Sequence, residues 1–408
     1  MQKESSGYRL YRNGQPYFIK GAGGYTHYER LKEMGGNSVR VWDTNDADRV
    51  LSQAQELGLT VMLGIWLTRE KENFDYYNQE AVRALKERIR RDVLSYRNHP
   101  ALLMWCIGNE MDLGTANVRA WRVIDDIAAM VHELDPNHPT TTAMNIIQPD
   151  KIRLLKNQCP NIDILSVNRY GGLSTLAEDI QKAGWEGPYI ITEYGPPGYF
   201  EKWTVTEWDA PIEFTSAEKA QFIRSRYRSA IIGQSSHCLG GYAFYWGQKQ
   251  ECTPTWFSLF LETGEKTEVA DMLQYLWSGR WPANRAPHLV SMRLTNKDNV
   301  TSNRLFPGET YSATVLVQDS EGDSLRYHWE VLPKSNWEEL DGSVDREVKP
   351  TPVGNVLLRN NSATIELKFP VVPGPYRLFV YVYDGKGSVA TANIPFYAES
   401  VSQTTGVQ

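Results

Sequence analysis

A repeated alternation of strand and helix patterns is the feature that most constrains how this chain can fold. From Tyr17 to Trp277, short apolar runs typical of buried strands alternate with amphipathic stretches at helical spacing. The pattern occurs about eight times over about 260 residues, which is the usual size of a (β/α)8 (TIM) barrel. A doubly wound open sheet is the alternative. It is disfavoured because the glycines after the first strand lack the spacing of a dinucleotide-binding turn.

The apolar runs give the bounds of the expected barrel strands. The predicted strands are Tyr17–Gly23, Ser38–Trp42, Thr60–Leu67, Ala101–Glu110, Thr140–Asn145, Asp163–Tyr170, Pro188–Gly195 and Leu239–Trp246. The two longest helices are expected between strands three and five, at Gln79–Tyr96 and Thr115–Leu134, because apolar residues recur there every three to four positions.

The composition changes after the last helical stretch. Residues 1–282 are assigned to the barrel, and residues 283–287, which end in a proline, are interpreted as a linker. Residues 288–399 contain short alternating runs, which predict an immunoglobulin-like β-sandwich, and residues 400–408 form a polar tail. Asp319, Glu321 and Asp323 do not have the spacing of an EF-hand loop, so we expect a tight acidic turn and no metal there.

Charge and cysteine content exclude several classes of function. The formal net charge is −6, and no cluster of Lys and Arg stands out, so neither nucleic acid nor an anionic membrane is an expected partner. No apolar run reaches the roughly 18 residues of a membrane-spanning helix. The four cysteines form no zinc or redox motif. Cys238 and Cys252 could form a disulfide, and the sequence alone does not decide whether they do. We expect a monomer.

Two carboxylates occur where barrel enzymes carry their chemistry. The apolar run LLMWCIGNE ends in Asn109 and Glu110, and the run YIITEYG carries Glu193 near its end. In a closed eight-stranded barrel, the C-terminal ends of strands four and seven face each other across the mouth. Two carboxylates placed there can flank one glycosidic bond, where one protonates the leaving oxygen and the other attacks the anomeric carbon or activates water.

Glu110 and Glu193 could also have purely structural roles. Either residue alone could cap a strand end or pair with a cation. Both together, at the ends of strands that oppose each other, favour the catalytic interpretation. A glycan-binding protein without activity, built on a hydrolase scaffold, is a further alternative, although a binder does not need paired carboxylates.

These motifs resemble those of the retaining glycoside hydrolases of clan A, over about residues 15 to 280. Four other positions match residues of that clan: Arg40 in SVRVW, Asn109, Tyr170 in SVNRY and Trp246 in FYWG. The resemblance implies that Arg40 lies near the nucleophile and that Tyr170 hydrogen-bonds it. It also implies that Asn109 contacts the sugar 2-hydroxyl and that Trp246 lies beneath the sugar.

Roles for the two carboxylates follow from this chemistry. We expect Glu193 to be the nucleophile, kept ionised by Arg40 and Tyr170, with retention of configuration and carboxyl groups about 5–5.5 Å apart. We expect Glu110 to be the general acid/base, with a pKa raised by apolar surroundings. No cofactor or metal is required by this mechanism.

Within the clan, the barrel followed by an immunoglobulin-like domain most resembles glycoside hydrolase family 158. That resemblance implies an endo-β-1,3-glucanase acting on β-glucan polysaccharide or oligosaccharide, and an extracytoplasmic location. Family 2 is the alternative and implies an exo-acting β-glycosidase on oligosaccharides. It is placed second because its members usually carry domains before the barrel, whereas this chain begins almost directly with strand one.

Further side chains could contact a sugar, because a pyranose ring packs its CH face on an aromatic plate. The expected additional substrate-binding residues are Trp66, Asn168, Trp203, Trp208, Trp256 and His27. Long loops also need aromatic residues for their own small cores, and His27 and Asn168 could instead have structural hydrogen-bonding roles.

Overall fold

A computed structural model of the chain describes residues 1–400 except 6, 114–117, 146–147, 295–300, 308, 336–346, 355, 359–360 and 369–371. The residues expected to form the polar tail lie almost entirely outside these ranges. The described chain contains a closed barrel of eight parallel strands and two mainly antiparallel sheets that follow it, which confirms the predicted fold class.

A small antiparallel sheet precedes the barrel. It consists of β1 (Gln2–Glu4), β2 (Gly7–Arg12) and β3 (Gln15–Tyr17). Its Leu10 is 2% exposed and belongs to an apolar cluster with residues from the beginnings of barrel strands, among them Ile19, Leu103 and Ile164. The sheet therefore covers the N-terminal end of the barrel, opposite the end expected to carry chemistry. The sequence did not predict this sheet because its strands are short and only Leu10 among their residues is fully buried.

The eight barrel strands agree with the predicted ones to within a few residues. They are β4 (Ile19–Gly23), β5 (Ser38–Val41), β6 (Thr60–Ile65), β7 (Leu102–Asn109), β8 (Thr140–Met144), β9 (Ile164–Asn168), β10 (Tyr189–Tyr194) and β11 (Cys238–Ala243). Neighbouring strands pair in chain order, and β11 closes the barrel against β4. Every residue of β5, β6 and β10 is buried, as expected of strands covered on both faces.

The main helices alternate with these strands along the chain. They are α1 (Tyr28–Glu33), α2 (Ala47–Glu56), α3 (Gln79–Tyr96), α4 (Val118–Leu134), α5 (Pro149–Gln158), α6 (Leu176–Lys182), α7 (Ser216–Arg226) and α8 (Glu268–Ser278). Helix α3 has the predicted bounds and begins at the N-cap Asn78, whose side chain accepts hydrogen bonds from the next turn. The predicted start of α4 at Thr115 lies outside the described residues.

The C-terminal part forms a β-sandwich. One sheet contains β12 (His288–Leu294), β14 (Thr310–Gln318) and β16 (Thr364–Lys368). The other contains β13 (Arg304–Leu305), β15 (Arg326–Pro333), β17 (Gly374–Tyr383) and β18 (Val389–Ala398). Alternate side chains of both sheets point inward, and the shared core includes the buried Trp329, Leu367 and Phe396. The sandwich therefore has a hydrophobic core of its own.

Internal contacts divide the chain into two compact units. The first contains Met1–Gly195 and Ser225–Gly247, and the second contains Pro196–Arg224 and the chain from Gln248 onward. This division differs from the boundary predicted at residue 282. The two boundaries differ because the loop after β10 contacts the sandwich within the second unit. Glu213 of this loop accepts a hydrogen bond of 2.6 Å from Asn393 in β18. The loop after β10 therefore packs with the sandwich.

All four cysteines are buried free thiols, including Cys238 and Cys252. Among the described residues, no group of three or more His, Cys, Asp or Glu side chains could hold a metal ion. Within the same ranges, no helix is both long and apolar enough to cross a membrane.

Candidate active site

Both predicted catalytic carboxylates lie where the strand pairing becomes irregular. The register between β7 and β8 shifts between Cys106 and Asn109, and that between β9 and β10 shifts between Ile191 and Glu193. Such irregularities bend a strand and re-aim its side chains. Glu110 also has a left-handed backbone, with φ of +52°, which costs a non-glycine residue about 1–2 kcal/mol. The end of β7 is therefore shaped to position Glu110.

Glu193 is 6% exposed and is held by three hydrogen-bond donors. Its Oε1 accepts from Arg40 Nη1 at 2.6 Å and from Trp42 Nε1 at 3.0 Å. Its Oε2 accepts from the Tyr170 hydroxyl at 2.6 Å. Three donors on one buried carboxylate fix the positions of both of its oxygens. The structure thus brings Arg40 and Tyr170 to Glu193, as the resemblance implied.

Arg40 is 1% exposed and links the two sides of the barrel mouth. Its Nη1 also donates to the Thr192 carbonyl at 2.9 Å, and its Nη2 donates to Asn109 Oδ1 at 2.7 Å. Asn109 Oδ1 accepts a second hydrogen bond, of 3.2 Å, from Asn168 Nδ2. Because the carbonyl oxygen of Asn109 faces these donors, its NH2 group is left to donate elsewhere. This orientation suits the predicted contact with a sugar hydroxyl, which stays a prediction.

Glu110 has a different environment from Glu193. It is partly buried, and its Oε1 accepts a 2.8 Å hydrogen bond from Asn168 Nδ2. Burial, and then the negative charge of Glu193, raise the pKa of Glu110 above that of an ordinary carboxyl group, while hydrogen bonds from Asn168 and Asn145 oppose the rise. A carboxyl group of this kind can keep its proton at a pH where an exposed one has lost it.

Asn168 therefore has a more specific place than the sequence indicated. Sequence analysis considered it a possible sugar contact or a packing residue. In the structure it is 3% exposed, and its amide group bridges Asn109 and Glu110. Asn168 is positioned to orient the Glu110 carboxyl group, and its contact with a sugar stays a prediction.

The structure corrects the predicted role of Trp246. Its side chain is 1% exposed, and its indole N–H donates to the His27 carbonyl at 3.0 Å. A ring buried in this way cannot offer a face to a sugar. Phe244, two residues earlier, packs its ring edge-on against Tyr170 at 5.9 Å and against Trp42 at 5.8 Å, the two aromatic residues that hydrogen-bond Glu193.

The other predicted sugar contacts fall into two groups. Trp66, at the end of β6, and His27, at the start of α1, are partly buried residues of the first unit, and their contact with sugar stays a prediction. Trp203, Trp208 and Trp256 belong to the second unit. There Trp203 is half exposed, whereas Trp256 is 3% exposed and donates to the Pro197 carbonyl at 2.9 Å, so its predicted role as a sugar platform is not met.

Trp42 is the site residue that sequence analysis missed. It follows β5 directly and lies two positions after Arg40, so strand alternation places both side chains on the same side of the chain. Its ring stacks on Tyr245 with centroids 6.0 Å apart and an interplanar angle of 21°. The two-residue spacing from Arg40 was the feature of the sequence from which this position could have been predicted.

The segment that carries these residues resembles a known family. Residues 26–205 match the family model described as "Glycosyl hydrolases family 2, TIM barrel domain". This region contains Arg40, Glu110 and Glu193, together with Asn168 and Tyr170. The family 2 resemblance therefore covers both carboxylates and most of the residues that hold them.

Curated relatives are similar to part of this chain. A β-glucuronidase of Streptococcus agalactiae is 25% identical over 206 residues, which are 43% of this chain and 33% of that protein. The human β-glucuronidase is 26% identical over 210 residues, 46% of this chain and 29% of that protein. A β-galactosidase of Bacteroides ovatus is 36% identical over 91 residues, 21% of this chain and 10% of that protein. The matches thus span a third or less of these relatives.

Solved structures show the same fold. The β-D-glucuronidase of Dictyoglomus thermophilum superimposes with a TM-score of 0.54 at 20% identity, covering 68% of this chain and 53% of that one. The β-glucuronidase of Ruminococcus gnavus gives a TM-score of 0.51 at 16% identity, covering 65% of this chain and 51% of that one.

These findings overturn the prediction of an endo-β-1,3-glucanase resembling family 158. The matching family model is that of family 2, and the relatives are β-glucuronidases and a β-galactosidase. The prediction gave weight to the early position of strand one in the sequence. That feature says nothing about the barrel itself, where the similarity to family 2 lies.

Proposed function

We propose that the barrel carries a retaining β-glycosidase of the family 2 type, which removes a terminal sugar from an oligosaccharide or other glycoside. The contrast between its two carboxylates is the observation that carries the proposal. Glu193 is held by Arg40, Trp42 and Tyr170, whereas the pKa of Glu110 is raised by burial and by Glu193. One carboxylate suited to attack and one suited to hold a proton are what double displacement requires.

The reaction proceeds in two steps. In the first, a Glu193 oxygen forms a bond to the anomeric carbon as the bond to the leaving oxygen breaks, and Glu110 gives its proton to that oxygen. In the second, Glu110 takes a proton from water, the water oxygen bonds to the anomeric carbon, and the ester bond returns its electron pair to Glu193. The overall result is hydrolysis with retention of configuration.

The sugars named in the relatives' descriptions give the first substrates to test. We expect hydrolysis of either a β-glucuronide or a β-galactoside, because the chain is similar to β-glucuronidases and to a β-galactosidase, and both carboxylates lie in the segment that matches family 2. A panel of nitrophenyl β-glycosides that also includes the β-glucoside and β-mannoside measures kcat/KM for each sugar. The expected result is a preference for one of the first two sugars of at least about tenfold, or about 1.4 kcal/mol in transition-state binding.

Product analysis on oligosaccharides of the preferred sugar tests the mode of cleavage. Release of a single monosaccharide from the first time point supports exo action. Early release of oligosaccharides of mixed size contradicts it. No turnover of any glycoside, combined with saturable sugar binding, would support the alternative of a glycan-binding protein and refute the proposed activity.

A further inference from the structure

The indole of Trp42 contacts the proposed nucleophile directly. Its Nε1–H donates to Glu193 Oε1 at 3.0 Å, and the same oxygen accepts from Arg40 Nη1 at 2.6 Å. Neither composition nor the motif around Arg40 assigned a role to this tryptophan. A donor that touches one of the reacting groups can change the chemistry, and not only the packing.

The two oxygens of Glu193 are therefore unlike. Oε1 accepts two N–H groups, whereas Oε2 accepts the Tyr170 hydroxyl at 2.6 Å as its one partner in the part of the chain that the structure describes. Each carboxylate oxygen has two lone-pair positions in its plane. Both positions on Oε1 are occupied, and one on Oε2 is left open. Oε2 is thus the oxygen with a lone pair available for attack.

Aromatic packing fixes the indole in place. The Trp42 ring stacks on Tyr245, contacts the edge of Phe244 at 5.8 Å and lies 6.0 Å from the Tyr25 ring. The Arg40 guanidinium carbon lies 4.9 Å from the centre of the Trp42 ring. A donor held by such packing needs little reorganisation when charge develops on the carboxylate.

We propose that Trp42 is a catalytic residue that stabilises Glu193 when it leaves as a carboxylate in the second step. This inference rests on the proposed retaining mechanism. In the first step Oε2 bonds to the anomeric carbon, Glu193 loses its charge, and the hydrogen bond to Oε1 weakens. In the second step the Oε2–carbon bond breaks, its electron pair returns to the carboxylate, and half of the regained charge falls on Oε1. The Trp42 N–H therefore favours the second step more than the first.

The test is the variant W42F, which keeps an aromatic ring but removes the N–H. The substrate is the nitrophenyl glycoside that the panel identifies, because its good leaving group makes the first step fast. A hydrogen bond to a charged group is strong enough that its loss lowers kcat by about tenfold or more. We expect kcat/KM, which reports the first step, to change by less than about threefold, so KM falls together with kcat. A burst of nitrophenolate and a covalent adduct seen by mass spectrometry should accompany this change.

Two further proteins make the test decisive. Replacement of Trp42 by β-(3-benzothienyl)alanine exchanges the N–H for sulfur in a ring of nearly the same shape, so it separates the lost donor from altered packing if W42F folds poorly. The matched control is W105F, because the Trp105 indole also donates to a carboxylate, that of Asp135, at 2.9 Å, but in a buried site away from the barrel mouth. W105F should lower the melting temperature and leave the ratio of kcat to kcat/KM unchanged.

The outcomes separate this inference from the proposed function. Unchanged kinetics in the Trp42 variants overturn the role of Trp42 alone. Equal losses in kcat and kcat/KM without a burst identify a structural effect and also overturn it. A wild-type protein that cleaves no glycoside overturns the retaining mechanism, and the role of Trp42 falls with it.

Discussion

Replacing Asn168 by Ala should move the pH dependence of activity towards higher pH. The Asn168 amide donates to Glu110 Oε1 at 2.8 Å, and this hydrogen bond favours the ionised acid. Burial and Glu193 already raise the pKa of Glu110, and Asn168 opposes them. Without the amide, the ionised form of Glu110 loses a stabilising hydrogen bond, so the pKa of Glu110 rises further.

The size of the shift follows from the strength of the lost interaction. A hydrogen bond to a charged group contributes roughly 1.5–3 kcal/mol, and one pKa unit corresponds to about 1.4 kcal/mol. Glu110 is only partly buried, and water can replace part of the lost bond, so we expect a shift of about one unit. Because Asn168 also holds Asn109, we expect kcat/KM at the optimal pH to fall by about tenfold.

The assay is kcat/KM against pH for the preferred nitrophenyl glycoside. Its alkaline limb reports the ionisation of the acid in the free enzyme. The matched control is N161A, because the Asn161 side-chain amide donates to the carboxylate of Asp125 at 3.0 Å, on the connection before β9. The control should leave the limb in place. An alkaline limb in N168A that stays fixed or moves to lower pH would refute the reasoning about Glu110.

Two other substitutions test separate parts of the structure. E110Q should lower kcat/KM by about 10²–10⁴-fold for a glycoside with a poor leaving group. The loss should be far smaller for dinitrophenyl glycosides, because a good leaving group needs no proton. Equal losses for both substrates would contradict the role of Glu110 as the acid. K219M should lower the free energy of unfolding, measured by urea denaturation, by about 3–5 kcal/mol. Lys219 Nζ lies 2.5 Å from Glu213 Oε1 in a buried ion pair, so the substitution leaves the buried Glu213 carboxylate without this cation. A loss below about 1 kcal/mol would show that other groups compensate the Glu213 charge.

Much of the fold could be predicted because its elements have strong periodic patterns. The buried strands of the barrel are continuous apolar runs, and α3 has both an N-cap and an apolar face, so their positions follow from the sequence. The N-terminal sheet did not follow, because only Leu10 of its central strand is buried. Neither did the packing of the loop after β10, since a hydrogen bond such as that between Glu213 and Asn393 joins residues far apart in the chain.

The candidate site was predictable in part for similar reasons. Glu110, Glu193, Arg40 and Tyr170 stand at or just beyond the ends of apolar runs, and the closed barrel brings those ends together. The positions of Trp42 and Trp246 depend on how individual side chains turn after a strand has ended. Trp246 turns into the protein to meet the His27 carbonyl, and Trp42 turns to Glu193. Alternation from Arg40 indicates the side on which Trp42 lies, but it predicts neither the hydrogen bond of Trp42 to Glu193 nor the inward turn of Trp246.

Sugar specificity is a finer property than the fold, which explains why the family 158 interpretation was wrong. Paired carboxylates with their arginine and tyrosine are shared by the whole clan that the chain resembles. They indicate the reaction, whereas the choice among sugars depends on side chains elsewhere in the mouth. The interpretation was overturned by the family 2 match and by similarity to β-glucuronidases and a β-galactosidase.

Covalent trapping tests the central claim most directly. A 2-deoxy-2-fluoro β-glycoside of the preferred sugar with a good leaving group should inactivate the protein by forming a stable ester. Peptide mapping by mass spectrometry then locates the label. The account predicts one sugar per chain, attached to Glu193, and no labelling of E193Q. A label on Glu110 or on any other residue, or unimpaired labelling and turnover by E193Q, would contradict the assignment of Glu193 as the nucleophile.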